Sequence, residues 1–214
     1  YLNTGNSGLN DQPDDEHYLT NLSWDPSGKF ILLAEVNRDQ NHMKLNKYSA
    51  ETGEKLATLF EEKHDKYVEP EHPAYFIPDG KGQFLWFSER DGYMNLFRYD
   101  LDGNLINKVT NVDWVISGIV GFTNKNKSVI VKGTGTDPRE MHAFSFDLKK
   151  GKWKQLTKVP GNHRVSLSGD GLRLLDTYGS TTIAGNTDII EIKTGNVKNL
   201  FQAKNPLDDF KAGQ

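Results

Sequence analysis

The fold is decided by residues 78–103, which read PDGKGQFLWFSERDGYMNLFRYDLDG. The stretch begins with a turn that contains Gly80, continues with two runs rich in aromatic residues, and ends at a second turn, Asp102-Gly103. Glycine readily adopts the positive φ that tight hairpin turns require, and runs of this composition are typical of β-strands. The stretch therefore predicts antiparallel strands joined by tight turns.

The same arrangement recurs along the chain. The glycines of the second turns are 50, 48 and 44 residues apart, and the matching positions of the first turns are 52, 46 and 45 residues apart. The second-turn glycines are Gly53, Gly103, Gly151 and Gly195, and the first turns contain Gly28, Gly80, Asn126 and Gly171. A repeat of roughly 40 to 50 residues with several strands per unit is the sequence signature of a β-propeller.

The repeat predicts an all-β fold, a β-propeller with four blades of four antiparallel strands. The predicted blades occupy residues 18–62, 72–112, 115–158 and 163–202. Residues 1–17 are predicted to form an entry segment and residues 203–214 a linker, because both are polar and lack the strand pattern. Four blades either close on themselves or stay open, and an open array exposes apolar faces at its ends. A homodimer that closes an eight-bladed ring is one hypothesis for the open case.

Composition excludes several classes of function. Lys and Arg number 26 against 29 Asp and Glu, so the basic surface of a nucleic-acid-binding protein is missing. The absence of cysteine excludes disulfides, Cys-ligated metals and Cys nucleophiles. No apolar run reaches the length of about 18 residues that a membrane span needs, so none is predicted. Because the chain begins at Tyr1 rather than Met, we expect a mature form or an excised piece.

Several segments between the turns carry a specific resemblance. The most specific is residues 87–97, in which Ser-Glu-Arg-Asp-Gly-Tyr precedes an aromatic strand. The others are residues 18–24 (YLTNLSW), 37–41 (NRDQN), 66–70 (KYVEP), 113–114 (DW) and 176–178 (DTY). In this order they resemble the propeller of the dipeptidyl peptidase IV-like serine peptidases, in the prolyl oligopeptidase superfamily. The chain is similar to the C-terminal half of their N-terminal β-propeller domain.

The resemblance implies an eight-bladed propeller that caps an α/β-hydrolase domain, with this chain as about half of the propeller. In that family the hydrolase domain supplies a Ser-Asp-His triad whose Ser lies in Gly-x-Ser-x-Gly. This chain contains no Gly-x-Ser-x-Gly, and the family's tandem Glu pair precedes the matched part. We therefore expect a non-catalytic segment, inactive alone, of a periplasmic or secreted exopeptidase that removes X-Pro or X-Ala dipeptides. The segment would wall the substrate cavity, dock the hydrolase domain and contact the peptide substrate.

The candidate substrate-binding residues are Tyr67, Val68 and Glu69. In the family, the loop that corresponds to these residues leads into the innermost strand of a blade and approaches the amino-terminal side of the substrate. The alternative interpretation is an inter-blade turn fixed by Pro70 and Pro73, whose rings restrict φ.

Other charged residues of this region are predicted to be structural. Glu61 and Glu62 lie in a charged stretch and are expected to form a solvated surface run rather than an anchor for the peptide's amino terminus. Arg90 and Asp91, at the tip of a hairpin, are expected to form salt bridges, in which Glu89 could take part.

No metal site and no cofactor are predicted. The six histidines do not pair at ligand spacing, and Gly133-Thr134-Gly135 is not followed by a helix that could bind phosphate. A stand-alone protein-interaction propeller is the alternative function. A Gly-x-Ser-x-Gly segment downstream in the reading frame would distinguish the peptidase from it. A propeller lectin or glycosidase is disfavoured because the four tryptophans lie within or beside predicted strands.

Overall fold

The structure is a computed structural model that describes residues 16–78 and 81–206. These residues form sixteen strands in four four-stranded antiparallel sheets, and one short 3-10 turn, Asn124–Asn126. Strands adjacent in sequence pair with each other in every sheet. The predicted all-β architecture of four four-stranded units is confirmed. No helix among the described residues is long and apolar enough to cross a membrane.

The first two sheets form one compact unit of the chain, which ends at Asn111. The first sheet consists of β1 (His17–Trp24), β2 (Phe30–Asn37), β3 (His42–Ser49) and β4 (Lys55–Lys63). The second sheet consists of β5 (Tyr75–Phe76), β6 (Phe84–Ser88), β7 (Asn95–Tyr99) and β8 (Leu105–Lys108).

The third and fourth sheets form the second compact unit, which begins at Val112. The third sheet consists of β9 (Ile116–Phe122), β10 (Ser128–Gly133), β11 (His142–Asp147) and β12 (Trp153–Gln155). The fourth sheet consists of β13 (Asn162–Leu167), β14 (Arg173–Gly179), β15 (Asn186–Glu191) and β16 (Val197–Gln202).

The repeated glycines have the backbone geometry that their turns require. The φ angles at the second turns are 75°, 86°, 63° and 79°, for Gly53, Gly103, Gly151 and Gly195. Of the first turns, Gly28 and Gly171 also have positive φ, and Gly80 lies outside the described residues. The turn prediction is thus confirmed at each described glycine of the repeat.

Each unit has its own core between its two sheets. In the first unit the core is rich in aromatic residues, and every residue of β6 and β7 is buried. In the second unit the core is mainly aliphatic, with Ile130, Leu174 and Ile190 at its centre. Strands packed between neighbouring blades are expected to be apolar on both faces, and the sequences of Phe84–Phe87 and Val129–Val131 fit this expectation. Both segments are buried in the structure.

The sequence also predicts strands over 73–77 and 153–156, and both are shorter in the structure. The expected strand over 73–77 is reduced to Tyr75–Phe76. Pro73 has no N–H, and the N–H of Ala74 donates to the Ser23 hydroxyl at 2.9 Å instead of to a neighbouring strand. The expected strand over 153–156 ends at Gln155. Most of the predicted entry segment, 1–15, and residues 207–214 of the predicted linker lie outside the described residues.

Candidate functional site

A cleft of about 340 Å³ opens in the first unit, beside the junction of its two sheets. Its walls are the end of β4, the connection between β4 and β5, and the end of β6 with the turn that follows. The side chains that matter for its chemistry are Glu62, Tyr67, Val68, Glu69, Glu89 and Arg90. The predicted site residues Tyr67, Val68 and Glu69 therefore all line one cleft.

Hydrogen bonds from the first sheet hold the loop that carries the predicted residues. The N–H of Val68 donates to the carbonyl of Gln40 at 2.6 Å, in the hairpin between β2 and β3. The side-chain amide of Asn21, in the bulge of β1, donates to the carbonyl of Pro70 at 2.6 Å. Because both ends of the 68–70 segment are tied to the first sheet, Tyr67 and Glu69 stand on a fixed loop.

Glu62 corrects the prediction of a solvated surface run. Its side chain is only 10% exposed, and its carboxylate accepts hydrogen bonds from Trp86 Nε1 at 3.1 Å and from Ser88 Oγ at 2.8 Å. The cause is the length of β4. The sequence pattern predicts a strand over 55–60, but β4 continues to Lys63. Alternation along a strand then places Glu62 on the same face as Phe60, toward the second sheet.

Glu61 has the opposite environment, as alternation requires. Its carboxylate is 2.8 Å from His42 Nε2 and its side chain is about two-fifths exposed. His42 and Lys44 hold the pKa of Glu61 below its ordinary value, although partial burial acts in the other direction. The prediction of a solvated charge thus fits Glu61 and is wrong for Glu62.

Arg90 completes the network around Glu62. Its Nη2 donates to Glu62 Oε1 at 2.6 Å and its Nε donates to Ser88 Oγ at 2.9 Å. The guanidinium carbon lies 4.3 Å from the ring centroid of Phe97, a distance typical of a cation–π contact. Burial lowers the pKa of Arg90, but Glu62 and Tyr99 together more than offset this, so the group is held charged. The expected salt bridge of Arg90 is present, and Asp91 has one to Lys108 at 2.7 Å.

Two further carboxylates, Glu69 and Glu89, line the cleft. Partial burial raises the pKa of Glu89, and the nearby charges of Glu71 and Glu69 raise it further. The cleft thus presents a guanidinium beside aromatic rings together with carboxylates that repel one another. A cationic group placed between those carboxylates would relieve the repulsion.

Comparison with known proteins identifies the family. The sequence model of the dipeptidyl peptidase IV (DPP IV) N-terminal region matches residues 6–184. The chain belongs to this family. The family's domain is a β-propeller, so both the predicted resemblance and the predicted fold class are confirmed.

Two solved structures are similar to this DPP IV N-terminal region. One, a candidate dipeptidyl aminopeptidase IV from Bacteroides ovatus, is 33% identical over 97% of this chain, with a TM-score of 0.82. The other, Porphyromonas gingivalis dipeptidyl peptidase 4, is 19% identical over 89% of the chain, with a TM-score of 0.76, and shows the fold alone. This chain covers 31% of the first protein's length and 27% of the second's.

The cleft of this DPP IV N-terminal region has the groups of a binding site rather than those of a nucleophile. Ser88 Oγ contacts Glu62 and Arg90, and neither is a general base of the Ser-His kind. Among residues 16–78 and 81–206, no group of three or more His, Asp or Glu side chains could hold a metal ion. The arrangement can bind a charged or zwitterionic group against aromatic rings.

Proposed function

We propose that this chain is the non-catalytic propeller segment of a DPP IV-like serine exopeptidase that removes X-Pro or X-Ala dipeptides. The family match and the 33% identity to the Bacteroides ovatus protein support it. In the longer protein the segment walls the substrate cavity, and an α/β-hydrolase domain docked on it supplies the triad. The enzyme acts in the periplasm or outside the cell, where such peptidases meet peptides.

The observation that carries the proposal is the charge arrangement of the cleft. A peptide's amino-terminal residue has an ammonium group close to a carbonyl oxygen. The carboxylates of Glu69 and Glu89 suit the ammonium, whereas the guanidinium of Arg90 is a donor that suits the carbonyl. Tyr67 offers an aromatic ring, half exposed, for the side chain of the bound residue.

The test is hydrolysis of an Ala-Pro or Gly-Pro reporter by the full-length protein and by this chain alone. We expect turnover by the former and silence from the latter. In the full-length protein, Glu69→Gln should raise KM about tenfold by removing one charge-assisted contact, and Tyr67→Ala should raise it by about the same factor by removing an aromatic contact, each with a smaller change in kcat. Glu51→Gln, an exposed carboxylate outside the cleft, is the matched control and should leave both constants unchanged.

Two failures would have different meanings. An inactive full-length protein would contradict the peptidase function itself. An active protein whose KM is insensitive to Glu69→Gln and Tyr67→Ala would contradict only the assignment of the cleft to the substrate.

The exposed outer strand of the fourth sheet supports a proposal about partners. All six residues of β16 are exposed, including Val197, Leu200 and Phe201. Exposed apolar edge strands invite pairing with another strand or sheet. We propose that the rest of the longer protein covers this edge, and that the isolated chain forms a homodimer that covers it instead. Light scattering at high concentration should give the mass of two chains, and a strict monomer would contradict the homodimer.

A further inference from the structure

The second unit contains a histidine buried inside its sheet junction. The side chain of His163, on β13, is 1% exposed and that of Asp176, on β14, is 2% exposed. Nδ1 of His163 lies 2.8 Å and 3.0 Å from the two carboxylate oxygens of Asp176, and Nε2 lies 2.7 Å from the carbonyl oxygen of Val159. Each ring nitrogen therefore faces an acceptor.

This geometry determines the protonation state of the ring. A neutral imidazole has one donor and one acceptor nitrogen. Its unprotonated nitrogen would face an oxygen of Asp176 or Val159 with no hydrogen between the two acceptor atoms. Only the imidazolium donates to both. The ring of His163 is also stacked on Tyr178, with centroids 4.7 Å apart, and faces His142 at 4.9 Å, which suits a cation between two π-systems.

His142, the neighbouring histidine on β11, needs no second proton. Its Nε2 is 2.8 Å from Glu140 Oε2, which requires a donor, and its Nδ1 is 3.1 Å from Thr157 Oγ1. A hydroxyl can donate, so Thr157 satisfies the unprotonated nitrogen. One imidazolium beside one neutral imidazole thus fits the two hydrogen-bond patterns.

The other titratable groups around His163 are mostly acidic. They are Asp176 and Tyr178 of β14, Asp188 of β15, His142 of β11, and Glu140 in the loop before β11. Asp188 is buried and lies directly across from Asp176 in the strand pairing. Lys154, which lines a cavity of the second unit together with Asp176 and Asp188, donates to the carbonyl of Ile192 instead of to either aspartate. The buried carboxylate of Asp176 therefore has the imidazolium of His163 as its cation.

We propose that His163 is a pH-sensitive lock that holds β13 and β14 of the fourth sheet to the connection from the third sheet, closed while its ring is protonated and loosened when the ring loses a proton. Burial lowers the pKa of His163, but the hydrogen bonds to Asp176 and Val159 raise it by more, so the net shift is upward. A group whose native pKa is raised contributes stability that is complete below its ordinary value of about 6.5. That stability is lost as pH rises through the native pKa. The lock therefore opens on the alkaline side.

The test compares urea unfolding of this chain with its His163→Gln and His64→Gln variants between pH 6 and pH 9. The unfolding equilibrium constant of the unsubstituted chain should rise by up to about tenfold per pH unit above pH 6.5, until the native pKa is reached, relative to that of His163→Gln. His64→Gln, which alters an exposed histidine of the first unit, should keep the slope of the unsubstituted chain. Equal slopes for the unsubstituted chain and His163→Gln would overturn the proposal.

A second measurement applies even where His163→Gln does not fold. The ¹⁵N shifts of the His163 ring, followed by NMR in the unsubstituted chain, report whether both nitrogens carry protons. We expect a ring that is doubly protonated at pH 6.5 and loses a proton only at higher pH. A ring that is neutral at pH 6.5 would overturn the proposal.

Discussion

The two junctions between paired sheets, one in each unit, place their charges differently. In the first unit the junction is aromatic and apolar, and its ion pair, Glu62 with Arg90, lies at the edge where the guanidinium is 31% exposed. In the second unit the ion pair of His163 and Asp176 lies inside the junction and is almost completely buried. Both pairs are short, with N···O distances of 2.6 Å and 2.8 Å.

The difference shows how burial determines what an ion pair can do. A charge at the rim of a cleft keeps part of its hydration and can exchange water for a ligand, so Arg90 is available to a ligand. A charge inside a junction can serve only the fold, because removing its partner leaves an uncompensated ion in a medium of low dielectric constant. We therefore expect variants of the first pair to affect binding and variants of the second to affect stability.

The largest effect is expected at Trp86, which forms the centre of the aromatic junction. Trp86 is fully buried, and its ring packs edge-on against Phe60 with centroids 5.7 Å apart. Trp86→Ala should lower the free energy of unfolding by about 3–5 kcal/mol, because it creates a large cavity and removes a donor from Glu62. The matched control is Trp24→Ala, which removes a side chain that is 57% exposed and should cost about 1 kcal/mol or less. If urea unfolding showed similar losses of stability for Trp86→Ala and Trp24→Ala, an aromatic core at this junction would be contradicted.

The second largest effect is expected at the buried ion pair of the second unit. Asp176→Asn keeps the size of the side chain but removes the charge that His163 faces, so it should lower the free energy of unfolding at pH 6 by about 3 kcal/mol. Asp137→Asn is the matched control, since Asp137 pairs with Arg139 at the surface and exposed pairs contribute little. An equally small effect of both substitutions would show that the buried pair contributes nothing to stability.

Much of the fold could be predicted because its signals are local. A turn glycine with positive φ is a requirement of a few residues, and the repeat at Gly53, Gly103, Gly151 and Gly195 therefore marks each hairpin without knowledge of the rest of the chain. The period then gives the number of sheets. The ends of strands could be predicted less well, because they depend on partners that are distant in sequence. The extension of β4 to Lys63 follows from its pairing with His42, which sequence alone does not give.

The candidate site was predictable in part. The resemblance led to Tyr67, Val68 and Glu69, and these do line one cleft. The charged neighbours of Glu62 in sequence predict a surface position. Because β4 extends to Lys63, the alternation of side chains along the strand turns Glu62 inward instead. The pair of His163 and Asp176 had no sequence signal, since it depends on the register between β13 and β14, in which Asp176 lies opposite Val165.

The repeated turn glycines also permit a comparison between the units. Gly103 and Gly195 both have positive φ, but a Cβ on Gly103 would lie 2.1 Å from the carbonyl oxygen of Leu59, whereas one on Gly195 would meet nothing within 4 Å. Gly103→Ala should therefore lower the free energy of unfolding by about 2–3 kcal/mol, and Gly195→Ala by only about 1 kcal/mol, the cost of the backbone conformation. Equal losses, measured by thermal or urea unfolding, would mean that β4 around Leu59 adjusts without cost.

Apart from the control substitutions and Gly195→Ala, the smallest effect on stability is expected for Glu62, where the effect on binding should be clearest. Glu62→Gln retains a carbonyl acceptor for Trp86 or Ser88 but loses the charge that holds Arg90, so it should lower the free energy of unfolding by about 1.5 kcal/mol. Released from its partner, the guanidinium gains rotamer freedom, which a bound peptide must then remove. In the full-length protein KM for an Ala-Pro reporter should rise several-fold while kcat changes little. Glu51→Gln, which alters an exposed carboxylate outside the cleft, is the control and should leave KM unchanged. If Glu62→Gln destabilised the chain as much as Asp176→Asn and left KM unaltered, the edge pair would be structural like the buried one, and the contrast between the two junctions would disappear.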